Sequence, residues 1–230
     1  RVKLVHVSNA GDGDRVGPRG RQDDVFWGQW GANDNGRETS CNFTYLKVRH
    51  HCDRGTLAVA GWSASGNKGG DSLDNNGKGK FHTMPSFTNT FDHESGWGMS
   101  SLGFWGNYPR LTGSGFVSQS GVGTAGVGVM LEDFSFYPDL THTARALYYV
   151  GTSQKEARGL GFVTGTNVPM TKKDNAWELN LDSKYQIAKG FAATLDMGVV
   201  YVDWQGAYER ENDDLEDCMW RVGLGVEYSF

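Results

Sequence analysis

Histidines, cysteines and a glycine run are the residues of this 230-residue chain whose types could carry chemistry. His142 stands near Asp139 and Thr141, and a histidine beside an acid and a hydroxyl is raw material for general-base catalysis. No G-x-S-x-G elbow and no H-E-x-x-H accompanies it, so a solvent-facing histidine is the simpler reading. The other histidines, His6, His50, His51, His82 and His93, include one adjacent pair next to Cys52. A Cys-His-His-Cys metal cluster with Cys41 is opposed by geometry, because consecutive residues of a strand point to opposite sides. A disulfide between Cys41 and Cys52 fits an oxidising compartment, and Cys218 is the odd one left over. Gly121, Gly123 and Gly126 match G-x-G-x-x-G, yet the next residues, Val127 to Leu131, alternate like a strand where a dinucleotide site needs a helix. Those glycines are better read as thinning one face of a strand so that a ring or backbone packs close. Asn9–Asp14 and Asn33–Gly36 lack the full twelve-residue cation pattern and read as polar turns. No catalytic residue, metal ligand or cofactor is expected.

The charges that remain are ordered by period. From Trp177 the odd positions run Trp177, Leu179, Leu181, Ser183, Tyr185, Ile187, and the even ones Glu178, Asn180, Asp182, Lys184, Gln186. Only Ser183 breaks a strand with one oily and one charged face. After a turn at Ala188-Lys189-Gly190, read as a three-residue loop with Gly in the left-handed region, the oily series resumes as Phe191, Ala193, Leu195, Met197, Val199 and Tyr201. The chain ends Trp220, Val222, Leu224, Val226, Tyr228, Phe230, interleaved with Arg221 and Glu227. These strands run about 11 to 14 residues against about 5 to 6 in soluble proteins, the reach needed to cross an apolar layer obliquely. Aromatics at both ends match the girdles of membrane barrels. With the oily face outward, Arg145, Glu178, Asp182, Lys184, Asp196, Arg221 and Glu227 line the interior. Charges of both signs across a water-filled lumen would orient polar solutes and set ion preference; in a narrow barrel they would simply pair.

Composition agrees with this class. Thirty-three glycines exclude long helices, 29 aromatics exclude disorder, and a net charge of −5 leaves no basic stripe for nucleic acid. The mean hydropathy is negative, as expected where half of every strand faces water. Upstream candidate strands are Val2–Val7, Val25–Trp30, Phe43–Arg49, Thr56–Trp62, Gly98–Trp105, Gly115–Gln119, Val122–Leu131, Thr141–Gly151 and Leu160–Thr166. About twelve strands in all form a single domain, residues 1–230. A long polar loop is expected at 63–96 and an acidic external loop at 205–217. The start at Arg1, with no Met and no basic-then-apolar leader, reads as a processed chain or a fragment.

The closing pattern from Trp220 to Phe230 resembles the terminal signal of bacterial outer-membrane barrels. Asp133-Phe134-Ser135-Phe136-Tyr137-Pro138-Asp139 through Arg145, Tyr148 to Thr152, Asn175-Ala176-Trp177-Glu178 and Lys184-Tyr185-Gln186-Ile187 are similar to the C-terminal half of a homotrimeric porin family. The similarity covers roughly Met84 to Phe230. It implies an outer-membrane, general-diffusion β-barrel channel of Gram-negative bacteria for small hydrophilic solutes and ions. It further implies a homotrimer in contact with lipid, lipopolysaccharide and the barrel-insertion machinery, with no cofactor and no catalysis. Members of that family are considerably longer, so a C-terminal portion would need further strands to close. Cysteines are unusual there. The alternatives are a rim-active barrel enzyme, protease or acyl hydrolase, resting on His142, and a soluble β-sandwich binding module.

Overall fold

In the computed structural model the described residues are 2–9, 21–34, 37–68, 71–73, 79–82, 104–105, 118–119, 123–154, 170–205 and 218–229. All their regular structure is strand. In chain order the elements are β1 (Val2–Asn9), β2 (Arg21–Asp34), β3 (Arg37–Cys52), β4 (Gly55–Ala64), β5 (Ser72–Leu73), β6 (Gly79–Phe81), β7 (Phe104–Trp105), β8 (Ser118–Gln119), β9 (Thr124–Tyr137), β10 (Leu140–Gly151), β11 (Asn175–Ala188), β12 (Phe191–Asp203) and β13 (Cys218–Tyr228). The nine long strands form one antiparallel meander, β1-β2-β3-β4-β9-β10-β11-β12-β13. Among the described residues β1 pairs only with β2, and β13 only with β12. The short β6 continues the β4 side of β3 in parallel, Arg37 to Thr39 against Gly79 to Phe81, and β7 pairs with β8.

Two-residue turns at Asp53-Arg54, Pro138-Asp139 and Lys189-Gly190 join neighbouring strands at one end of the sheet, where the eleven residues 10–20 also connect β1 to β2. The long connections 65–123, 152–174 and 204–217 lie at the other end, together with the two residues 35–36 between β2 and β3. The turn before β12 is shorter than its sequence suggests, since Ala188 still pairs with Phe191. Gly190 takes the left-handed conformation there, with φ 75°. The expected loop at 63–96 begins later than its sequence suggests. Ser63 and Ala64 belong to β4, Gly79–Phe81 pair with β3, Ser72–Leu73 pair with β6, and Asp71 accepts from His82 N. The candidate strand Leu160–Thr166 and most of Gly98–Trp105 and 205–217 lie outside the described residues.

Side chains are described for seven of the nine long strands, and their burial is inverted relative to a protein core in water. Leu224 is 80% exposed and Trp220 72%, whereas Glu178 and Lys47 are 1% exposed. The same parity holds in β4, β9, β10, β11, β12 and β13, where Leu57, Val59, Val127, Val129, Leu131, Leu179, Val199 and Val222 all face out. Asp133 and Asp139 adopt left-handed φ of 53° and 64°. Two one-residue register shifts between β9 and β10 lie beside them, bulges that bend the tight-turn end.

Two glycines of β9 make room on the buried face. A Cβ on Gly126 would lie 2.5 Å from the Tyr149 Cβ and 2.7 Å from the Trp62 ring, and one on Gly128 2.5 Å from Leu147. At Gly61, on the exposed face, the nearest atom would be 3.7 Å away. Gly126→Ala is therefore expected to cost about 1 to 3 kcal/mol through overpacking, and Gly61→Ala less than about 0.5 kcal/mol. Urea-unfolding midpoints of the two variants check this difference.

Candidate functional site

The buried face is a stack of cross-strand rows, fixed by register. One row reads Tyr45, Trp62, Gly126, Tyr149, Ala176, Val202 across β3, β4, β9, β10, β11 and β12. The next, toward the tight turns, reads Lys47, Ala60, Gly128, Leu147, Glu178, Val200, Met219. The one after it reads Arg49, Ala58, Met130, Arg145, Asn180, Gly198, Arg221. Asp182, Asp196 and Gly223 follow, then Lys184, Thr194 and Gly225. Rings thus dominate the end that carries the long connections, and charge dominates the end with tight turns.

Each charge is held by a partner placed within reach. Glu132 Oε1 accepts from Lys47 Nζ, and Glu132 Oε2 accepts from Arg49 Nε at 3.2 Å. These pairs span from β3 to β9, over β4, where Ala58 and Ala60 are too small to obstruct them. Second-neighbour strands are about 9.6 Å apart, so only long side chains bridge them. Lys184 Nζ likewise crosses β12 to both carboxylate oxygens of Glu227 at 3.1 Å. Between adjacent strands, Arg145 Nη1 donates to Asp182 Oδ2. The Tyr149 hydroxyl donates to Glu178 Oε2 at 3.2 Å, and Asn180 Nδ2 to its other oxygen at 2.9 Å. Opposite-charge pairing across strands stabilises this register and penalises any slip.

All seven interior charges expected from alternation, Arg145, Glu178, Asp182, Lys184, Asp196, Arg221 and Glu227, stand on this face. Lys47, Arg49 and Glu132 join them, although no alternation in the sequence marks them. In β3 the odd face changes from Cys41, Phe43 and Tyr45 to Lys47 and Arg49 halfway along, so neither face is consistently oily. Trp220, Val222, Leu224, Val226 and Tyr228 are exposed as expected; Phe230 lies outside the described residues.

The Cys41–Cys52 disulfide does not form. Both residues sit on β3, eleven positions and so about 36 Å apart, with Cys41 buried and Cys52 exposed. Cys218 is exposed and outside any disulfide. No group of three potential metal ligands exists among the described residues. His142 meets neither Asp139 nor Thr141. Its Nδ1 lies 2.8 Å from Ser183 Oγ on the opposing strand, and its ring sits 5.2 Å from that of Phe134. Ser183, the one break in the oily row, is the hydrogen-bond partner of that histidine.

At the other end the long connections interlock. Asn67 N donates to Ser153 Oγ at 3.2 Å, Gln154 N to the Asn67 carbonyl at 2.8 Å and Thr152 Oγ1 to the Ala64 carbonyl at 2.7 Å. Buried Asp71 caps the 65–82 segment, accepting from Lys68 N, His82 N and His82 Nδ1, the last at 2.7 Å.

Removing Arg145 would leave Asp182 buried without its cation. Arg145→Met is expected to destabilise by about 3 to 5 kcal/mol, and adding Asp182→Asn to recover much of that loss. Lys184→Met, which breaks a pair more than a third exposed, should cost less than about 1 kcal/mol. Unfolding free energies of the four proteins provide the check. No protein-family model matches the chain, and no curated protein matches it significantly.

Proposed function

We propose that the chain is an outer-membrane β-barrel of the porin type, conducting small hydrophilic solutes and ions passively, without catalysis or cofactor. One observation carries this reading. The long strands turn Leu, Val, Trp and Tyr outward and bury Lys, Glu, Asp and Arg, an arrangement that is favourable only where the surroundings are apolar. A solvent-facing sheet of a soluble sandwich would have the opposite parity. From β3 onward, the tight turns at one end and the long connections at the other fit the periplasmic and external sides of such barrels. An outward depression of about 560 Å³, floored by Ala144 and Ala146 between Leu57, Leu179, Val199 and Trp220, offers a seat for acyl chains or a neighbouring subunit of a homotrimer. The exposed row from Trp220 to Tyr228 remains available to the insertion machinery.

The rim-enzyme alternative has the His142–Ser183 contact in its favour. It has no carboxylate on the imidazole among the described residues, whereas a Ser–His pair is ordinarily oriented by a third group. The channel reading is therefore preferred. Purified, folded protein reconstituted into planar bilayers should give stepwise conductance. Its absence, or a chain that stays monodisperse without detergent, would remove the proposal.

A further inference from the structure

The register stacks an apolar layer on a charged one, and in a channel the two cannot act alike. Tyr45, Trp62, Tyr149, Ala176 and Val202 occupy one row and are each at most 5% exposed. Phe43, Ala64 and Trp204 bury beside them in one continuous cluster. Trp62 and Tyr149 approach to 6.0 Å between ring centroids, over the space that Gly126 leaves open. Trp62 Nε1 donates to Thr124 Oγ1 at 2.9 Å, which fixes the ring within the layer. Two rows below, four residues or about 13 Å along the strands, stand Arg49, Arg145, Asn180 and Arg221. From the long-connection end, the buried face thus carries rings and aliphatics in the Tyr45 row and charges, beginning with Lys47 and Glu178, from the next.

We infer that the Tyr45–Trp62–Tyr149–Val202 row is a hydrophobic collar that sets what the channel passes, a conclusion that rests on the channel reading above. A hydrated ion entering between these rings must give up water, and the Trp62 and Tyr149 donors are already engaged by Thr124 and Glu178; narrow apolar segments gate by dewetting. The collar therefore opposes small ions, and the ion-paired rows beneath it do not set the conductance. Permeation requires the rings to move aside or the layer to be wetted.

The experiment compares single-channel conductance in planar bilayers for the wild type, Trp62→Ala, Val202→Thr and Trp177→Ala. Trp62→Ala removes the largest ring of the collar. Val202→Thr keeps the volume and adds a hydroxyl that water can bond, so it tests wetting even where the tryptophan variant does not fold. Trp177→Ala removes an equally large ring from the exposed face. Both collar variants are expected to raise unit conductance, Trp62→Ala by about tenfold, which corresponds to about 1.4 kcal/mol of barrier; Trp177→Ala should match the wild type. Folded collar variants that conduct as the wild type does, or a Trp177→Ala rise as large as theirs, would overturn the collar while leaving the channel standing. Silence from all four proteins would overturn both.

Discussion

The register of the sheet is the constraint on which the rest of the structure depends. Because side chains alternate with period two, slipping one strand by one residue would turn its charges outward and its oily row inward. Lys47, Arg49, Arg145 and Lys184 each reach a carboxylate on another strand, so a slip anywhere would strand several charges at once. An antiparallel ladder by itself is tolerant of register. Here the buried electrostatics make it specific, and they do so most strongly where the charges are least exposed.

Small residues make those contacts possible. Ala58 and Ala60 lie beneath the bridge from β3 to β9, and Thr194 and Gly225 beneath the one from β11 to β13. A Cβ on Gly225 would approach Thr194 Oγ1 to 2.7 Å. On β9 the same economy of volume serves rings in place of charges, with Gly126 and Gly128 accommodating Trp62, Tyr149 and Leu147. The abundance of glycine and the abundance of aromatics are therefore two sides of one packing solution. Each thinned strand admits a long or large side chain from its neighbours.

Much of this was legible in the sequence where a strand keeps one character from end to end. β11 and β13 do so, as does β12 as far as Gly198, and their interior charges and exposed rows follow from alternation alone. β3 does not, because its buried face changes from aromatic to cationic between Tyr45 and Lys47 while its other face runs from Asn42 and Thr44 to Leu46 and Val48. Averaged along the strand, the two faces look alike, and Lys47 and Arg49 stay hidden until Glu132 is seen on the far side of β4. The disulfide expectation failed for a related reason. The expected strand Phe43–Arg49 extends in both directions to take in both cysteines, and one uninterrupted strand holds Cys41 and Cys52 far apart. Val200 and Val202 were equally unreadable, since they break the polar series of β12 where the buried face becomes apolar.

That change of character along the strands separates two physical tasks within one wall. A layer of paired charges is directional, demanding a particular register, but it tolerates water. A layer of rings excludes water, since its carbon faces repay no lost hydrogen bond and its Trp62 and Tyr149 donors are already taken by Thr124 and Glu178. Placing the rings toward the long connections sets the water-excluding layer beside the segments that interlock through Asn67, Ser153 and Gln154. The charges occupy the end where two-residue turns already fix strand against strand. Specificity of pairing and exclusion of water are thus supplied by different rows, so that altering the apolar row leaves intact the ion pairs that hold the register.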